Sequence, residues 1–163
     1  MKQVKFNDRQ FIRAFGVVSF LIGLLFRISF VIRADFPFND GGMFTTIVEE
    51  ILAAGLSLPA FSNFNSLEIP LLYPPLGFYL AAVLVKITGV EPIVMMQYLP
   101  VILSSFTIPA LFYFSKTLYP STKTPYLATI IYIFIPRSWI WLIMGGGLTR
   151  SLGLVFAVIA MIH

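Results

Sequence analysis

Cysteine is absent from all 163 residues, which excludes a disulfide framework and a thiolate metal site and leaves the redox compartment undecided. Histidine occurs once, as His163, where it has no partner for a histidine-based metal site or triad, and no role is assigned to it. Charge is scarce as well: 11% of residues are charged, against 58% hydrophobic and 16% aromatic. With a mean hydropathy of +0.91, the chain carries more apolar surface than a water-soluble domain of this length can enclose. The composition therefore predicts an integral, multi-pass, all-α membrane protein. No Walker-type loop, no nucleotide-sugar DxD pair, no Ser-His-Asp order and no cluster of metal ligands occurs, so soluble-enzyme mechanisms find no support. The net charge of +4 does not point to nucleic acid, because the basic residues are scattered singly and flank apolar runs.

What is present reads as alternating apolar runs and polar turns. Lys2, Lys5, Arg9 and Arg13 precede a run from Ala14 to Ile32 that is longer than a signal-peptide core and lacks a cleavage site. It is expected to be a first membrane helix (14–32) with a cytoplasmic N-terminus, in the plasma membrane of a prokaryote. Arg27 interrupts it near the outer end; snorkelling to the interface is the simpler reading, and contact with an anionic headgroup, shared with Arg33, the sharper one. From residue 33 to 91 the sign reverses, with Asp35, Asp40, Glu49, Glu50, Glu68 and Glu91 against Arg33 and Lys86, which predicts a large outer loop. Asp40 reads as an N-cap, and Phe44, Ile47, Val48, Ile51 and Leu52 fall at helical spacing, so a surface helix over 41–55 is expected to lie along the membrane. Residues 56–72 show no period and read as a loop; Tyr73-Pro74-Pro75 leads into a short non-spanning helix over 75–88.

A second crossing is expected over 92–115, kinked at Pro100 and Pro109, with Lys116 and Lys123 marking a cytoplasmic turn. A third is expected over 125–141, with Trp139 and Trp141 in an aromatic belt. A second outer loop follows over 142–150, and 151–163 begins a fourth helix too short to span. The chain thus reads as the amino-terminal part of something longer or as a truncated product, and no internal repeat is evident.

Three constellations carry chemical potential. Asn39-Asp40-Gly41-Gly42 puts a carboxylate beside two glycines, placed to meet a bulky substrate as a base, amide activator or cation ligand, or to serve as an N-cap alone. Tyr73-Pro74-Pro75 is a rigid aromatic corner able to line a groove for a lipid tail or sugar, or to pack. Arg137 with Arg150, across the second outer loop, is a candidate clamp for a phosphate leaving group, or a pair of interfacial anchors. Asp35 is an alternative carboxylate to Asp40, and Glu68 a further candidate substrate contact in the same acidic loop.

In order, NDGGMFTTIVEEILAAG, YPPLGFYLAAVLVKITGVEP, YLPVILSSFTIPALFYFSKTLYP and YLATIIYIFIPRSWIWLIMGGGLTRSLG, after a charged N-terminus and one membrane helix, resemble the amino-terminal part of the GT-C glycosyltransferases. These polytopic enzymes use polyprenyl-phosphate or polyprenyl-diphosphate sugars and include oligosaccharyltransferase catalytic subunits, protein O-mannosyltransferases and aminoarabinose transferases. The resemblance implies a catalytic carboxylate near the start of the first outer loop, matched best by Asp40 and next by Asp35, and an arginine near the second outer loop, matched by Arg137. Where oligosaccharyltransferase subunits carry an acidic pair that helps hold a divalent metal, this chain has Gly147-Leu148-Thr149-Arg150. That departure puts a divalent metal in doubt and argues against an oligosaccharyltransferase in the strict sense; no cofactor is predicted. The reading is a membrane enzyme that moves a sugar from a polyprenyl-phosphate donor at the outer face, with inversion. Asp40 would be its base, and Arg137 and Arg150 its phosphate ligands. The alternatives are a non-catalytic GT-C-like membrane scaffold or assembly subunit and, third, a transporter, which the acidic outer loop and the absence of paired broken helices weaken.

Overall fold

A helix of 24 residues, α1 (Asp8–Val31), opens the computed structural model, which describes residues 8–145 and 147–162. Lys2, Lys5, Gly146 and His163 lie outside the described residues. The buried positions of α1 are Gly16, Ser19, Gly23, Arg27 and Val31, a stripe repeating every three to four residues and therefore one face of the helix. That face is made mostly of small side chains, while the large apolar ones, Val17, Val18, Leu21, Ile22 and Leu25, point outward. The distribution is the reverse of a helix at the edge of a water-soluble core, and it lets a partner helix approach closely. At Gly23 a Cβ would lie 2.1 Å from Cδ1 of Ile108, so the missing side chain is the seat of that isoleucine.

Next come α2 (Gly41–Ala53), α3 (Leu76–Thr88), α4 (Pro92–Ser105), α5 (Thr107–Leu118), α6 (Thr124–Phe134), α7 (Ile140–Ile143) and α8 (Gly147–Ala160). The chain is mostly helical, as the sequence implies. Among the described residues two stretches are long and apolar enough to cross a membrane, α1 and the α4–α5 pair over Pro92–Leu118. At 1.5 Å per residue α3, α6 and α8 reach only about 16–21 Å, short of a hydrocarbon layer of about 30 Å.

Four sequence expectations need correction. First, of the two kinks expected, the one due to Pro109 falls at Phe106, between α4 and α5, and Pro100 stays inside α4 without ending it. Pro109 is the physical cause: its ring opposes the carbonyl four residues back, at Ser105, so the ladder breaks one turn before the proline. Hydroxyls take up carbonyls there, Ser105 Oγ donating to Val101 O (2.8 Å) and Thr107 Oγ1 to Ser104 O (2.6 Å).

Second, the third run is not one helix over 125–141. It stops at Phe134 because Pro136 disfavours helical backbone at Ile135, which is extended (φ −97°, ψ 100°). A 3-10 turn (Pro136–Ser138) and the one-turn α7 follow. Third, residues 142–150 are not an open loop: α7 runs to Ile143 and α8 begins at Gly147, so Arg150 stands in the first turn of a helix. Fourth, the apolar face of α2 does not lie free for a bilayer. Phe44, Ile47, Val48 and Ile51 are at most 2% exposed, packed with Phe78, Ala81 and Ala82 of α3, Met96 and Leu99 of α4 and Leu148 of α8. The rings of Phe44 and Phe78 stack at 5.4 Å.

The segment between α2 and α3, aperiodic in sequence, contains a two-stranded antiparallel pair, β1 (Phe61–Ser62) and β2 (Ile69–Pro70). A 3-10 turn closes it, with Asn65 and Ser66 at φ 56° and 60°. Oε1 of Glu50 accepts a hydrogen bond from the Asn63 backbone N–H (2.7 Å), which ties this hairpin to α2.

Candidate functional site

Asp40 ends a tight turn whose geometry is set by the glycines around it. Phe38 O accepts hydrogen bonds from the N–H groups of Gly41 (3.3 Å) and Gly145 (2.9 Å), so the approach to α2 and the segment before α8 share one acceptor. A Cβ at Gly145 would fall 2.6 Å from Gly41 N and 2.7 Å from the Asp40 carbonyl carbon. Only glycine allows that backbone-to-backbone approach, and it is what brings the start of α8 alongside Asp40.

Asp40 precedes α2 as its sequence position implies, but its side chain makes no capping hydrogen bond and its backbone is not extended (φ −72°, ψ 13°). The side-chain N-cap expected from the sequence is thus not formed. Instead Oδ2 accepts a long hydrogen bond from Nδ2 of Asn39 (3.4 Å), and the carboxylate faces open space. Asn39 itself holds a left-handed backbone (φ 56°), which asparagine tolerates better than most residues.

Three elements meet around this carboxylate. From the α2–α3 segment, Tyr73 packs edge-to-face on Phe44 at 4.9 Å, which anchors the aromatic corner against the core. From α8, Arg150 lies over the Trp141 ring at 5.7 Å. Asp40, Phe44, Tyr73, Pro74, Thr149 and Arg150 together line a cavity of about 390 Å³. Its walls are a carboxylate on one side, a guanidinium and a hydroxyl on another, and an aromatic–proline face between them. Such a set can accept a proton from a hydroxyl, pair with a phosphate oxyanion and stack against a sugar ring or lipid chain.

Of the six residues singled out in the sequence, Asp40, Tyr73 and Arg150 share this cavity, whereas Asp35, Glu68 and Arg137 do not line it and are exposed. Arg137 sits on the 3-10 turn after α6, so the clamp expected from Arg137 with Arg150 reduces to Arg150. Pro74 lines the cavity too, as the Tyr73-Pro74-Pro75 corner implied, whereas Phe44 and Thr149 were not singled out. Phe44 carried only a packing signal, because its helical spacing marks a buried face, yet its ring reaches the cavity wall. Among the described residues no three His, Cys, Asp or Glu side chains cluster so as to hold a metal ion.

A second polar centre lies inside the bundle. Arg27 is fully buried, which corrects both sequence readings, snorkelling and headgroup contact. Its guanidinium carbon lies 5.2 Å from the Trp139 ring and 5.5 Å from that of Tyr132, and Nη1 donates to Ser104 Oγ at 3.3 Å. Among the described residues Nε and Nη2 have no hydrogen-bond partner. Trp139 is likewise buried rather than in a belt, with Nε1 donating to Ile133 O (3.1 Å); Trp141 is exposed.

Compared with family models, curated proteins and solved structures, the chain matches none.

Proposed function

We propose that the chain is a multi-pass membrane protein and belongs to a glycosyltransferase that moves a sugar from a polyprenyl-phosphate donor to an acceptor hydroxyl or amide at the outer membrane face. The observation that carries this reading is the cavity in which Asp40 and Arg150 stand on either side of the Tyr73–Pro74 wall. In the proposed reaction the acceptor attacks the anomeric carbon and inverts it. The bond from that carbon to the phosphate oxygen breaks, Asp40 takes the acceptor proton, and polyprenyl phosphate leaves against Arg150. Thr149 and Arg150 occupy the first turn of α8, where the helix dipole adds partial positive charge for the same oxyanion. Tyr73 and Phe44 would hold the sugar or the first isoprene unit.

A second reading, a membrane scaffold that keeps the fold without the chemistry, is favoured by one observation: the placement of Arg150 over Trp141 is also what an interfacial anchor would show. Transfer assays on the complete gene product, offered a panel of polyprenyl-phosphate sugars, separate the two. Asp40→Asn keeps size and N-cap propensity, so catalysis predicts a loss of about 100-fold or more in rate while the scaffold reading predicts no transfer by any variant. Near-normal transfer by Asp40→Asn removes this carboxylate from the mechanism. Arg150→Lys keeps the charge but loses the planar fork, and should weaken donor binding; transfer should also persist in a chelator, because a guanidinium at the cavity repels a divalent cation.

A further inference from the structure

At the opposite end of the bundle, where α1 begins and α5 turns into α6, three cavities meet at Lys123. The first, about 330 Å³, is the most polar of the three, with Lys116, Ser121, Thr122 and Lys123 on its wall beside Phe11, Ile12 and Tyr126, and Asp8 as its one acid. The second, about 420 Å³, is walled by Phe11, Phe15, Tyr126 and the stem of Lys123. The third, about 340 Å³, runs along α6 past Leu127, Ala128 and Ile131. Lys116 is held in place: its ammonium donates to Pro120 O and lies 5.4 Å from the Tyr126 ring. Tyr126 in turn packs on Phe15 (4.8 Å) and Phe11 (5.8 Å), so the boundary between the basic chamber and the apolar grooves is an ordered aromatic wall. Arg9 and Arg13, both exposed, add positive charge on the neighbouring turns of α1.

A basic, hydroxyl-bearing chamber that shares Phe11, Tyr126 and Lys123 with one apolar groove and Lys123 with another has the polarity profile of one phospholipid molecule. We propose that this end of the bundle binds a single anionic phospholipid. Its phosphate sits between Lys116 and Lys123 and accepts from Ser121 and Thr122. One acyl chain lies along Phe11 and Phe15, and the other along Leu127 and Ile131. Two lysines against Asp8 leave net positive charge to meet the phosphate, and the grooves reject a bare anion because they can be filled only by hydrocarbon. The inference rests on the membrane part of the proposed function and not on the glycosyl transfer.

The test is binding of short-chain phosphatidylglycerol to the detergent-purified full chain, followed by native mass spectrometry and by thermal stabilisation. Phosphatidylcholine of equal chain length and inorganic phosphate run beside it. Phosphatidylglycerol should bind with one-to-one stoichiometry, and the other two should bind at least tenfold more weakly. Removing a lysine at an anionic lipid surface costs about fivefold in affinity, so Lys116→Gln with Lys123→Gln should lose about twenty-five-fold; Lys86→Gln, at the other end of α3, should change nothing. Equal binding of the two lipids, tight binding of phosphate alone, or undiminished binding by the double variant overturns the proposal. Carbonate extraction of the native membranes keeps the two readings apart. A chain that stays in the pellet yet fails the lipid test loses only this site, and one that is released to the supernatant loses the membrane reading as well.

Discussion

Arg27 and Arg137 look alike in sequence, each a lone cation in an apolar helical run close to a chain reversal, and the fold treats them in opposite ways. Arg27 falls on the α1 stripe with Gly16, Ser19 and Gly23, the face that α4, α5 and α6 cover, and its guanidinium ends between two aromatic rings. Arg137 follows Pro136, which has already broken α6, so its side chain leaves the bundle and is exposed. The difference teaches that a charge in an apolar run is placed by the helix phase and by the nearest proline, not by its depth along the run. It also separates roles. Arg27 is in the scaffold, Arg137 has no place at the Asp40 cavity, and Arg150 combines exposure with a place on its wall.

The sharpest way to test that contrast is to remove the guanidinium from each. Arg27→Ala should have the largest effect, a loss of about 3–5 kcal/mol in stability in detergent, because a long side chain pressed on two rings leaves a void. Arg27→Met should recover most of it, since it fills the space and abolishes the two unbonded donors Nε and Nη2. If methionine is no better than alanine, the cation itself holds α1 to Tyr132 and Trp139, and the scaffold role rests on charge rather than volume. Gly145→Ala should come next, at about 1–3 kcal/mol, because a methyl would meet backbone atoms of Asp40 and Gly41 that cannot rotate away. The same variant should also weaken any ligand of the Asp40 cavity, and unchanged melting would mean the close approach there is not needed.

Ser104→Ala is a smaller perturbation. It removes the hydrogen bond that Nη1 of Arg27 donates to Ser104 Oγ, and should cost about 1 kcal/mol. A cost near zero would show that the aromatic rings alone satisfy the cation. Smallest is Arg137→Ala, expected within about 0.5 kcal/mol by the same thermal assay; a loss comparable to that of Arg27→Ala would erase the distinction between the two arginines.

Which parts were legible in advance follows from the range of the signals. The short helix over Leu76–Thr88 and the apolar face of α2 could be read from local periodicity, because the spacing of Phe44, Ile47, Val48 and Ile51 needs no partner to be recognised. The partner itself was not legible: the same face suits lipid or protein, and only Phe78 stacked on Phe44 identifies which one covers it. The break at Phe106 was missed by three residues, since a proline acts on the carbonyl of the preceding turn. At the cavity, Asp40, Tyr73 and Arg150 were each visible as unusual residues. Their meeting was not, because it depends on Phe38 O bonding both Gly41 and Gly145 across more than a hundred residues of chain.

Two long apolar runs, a helical class and a single polar island around Asp40 were determined by the sequence alone, because composition and period are properties of consecutive residues. Tertiary structure decided which side chains face one another. It put Arg27 and Trp139 inside, left Asp35, Glu68 and Arg137 at the surface, and set Arg150 across a cavity from Asp40. The physical reason is that glycine and proline act at a distance from where they are read: Gly145 permits a backbone contact with a turn far earlier in the chain, and Pro136 redirects everything after it. Neither effect has a period, so neither can be seen until the helices are packed.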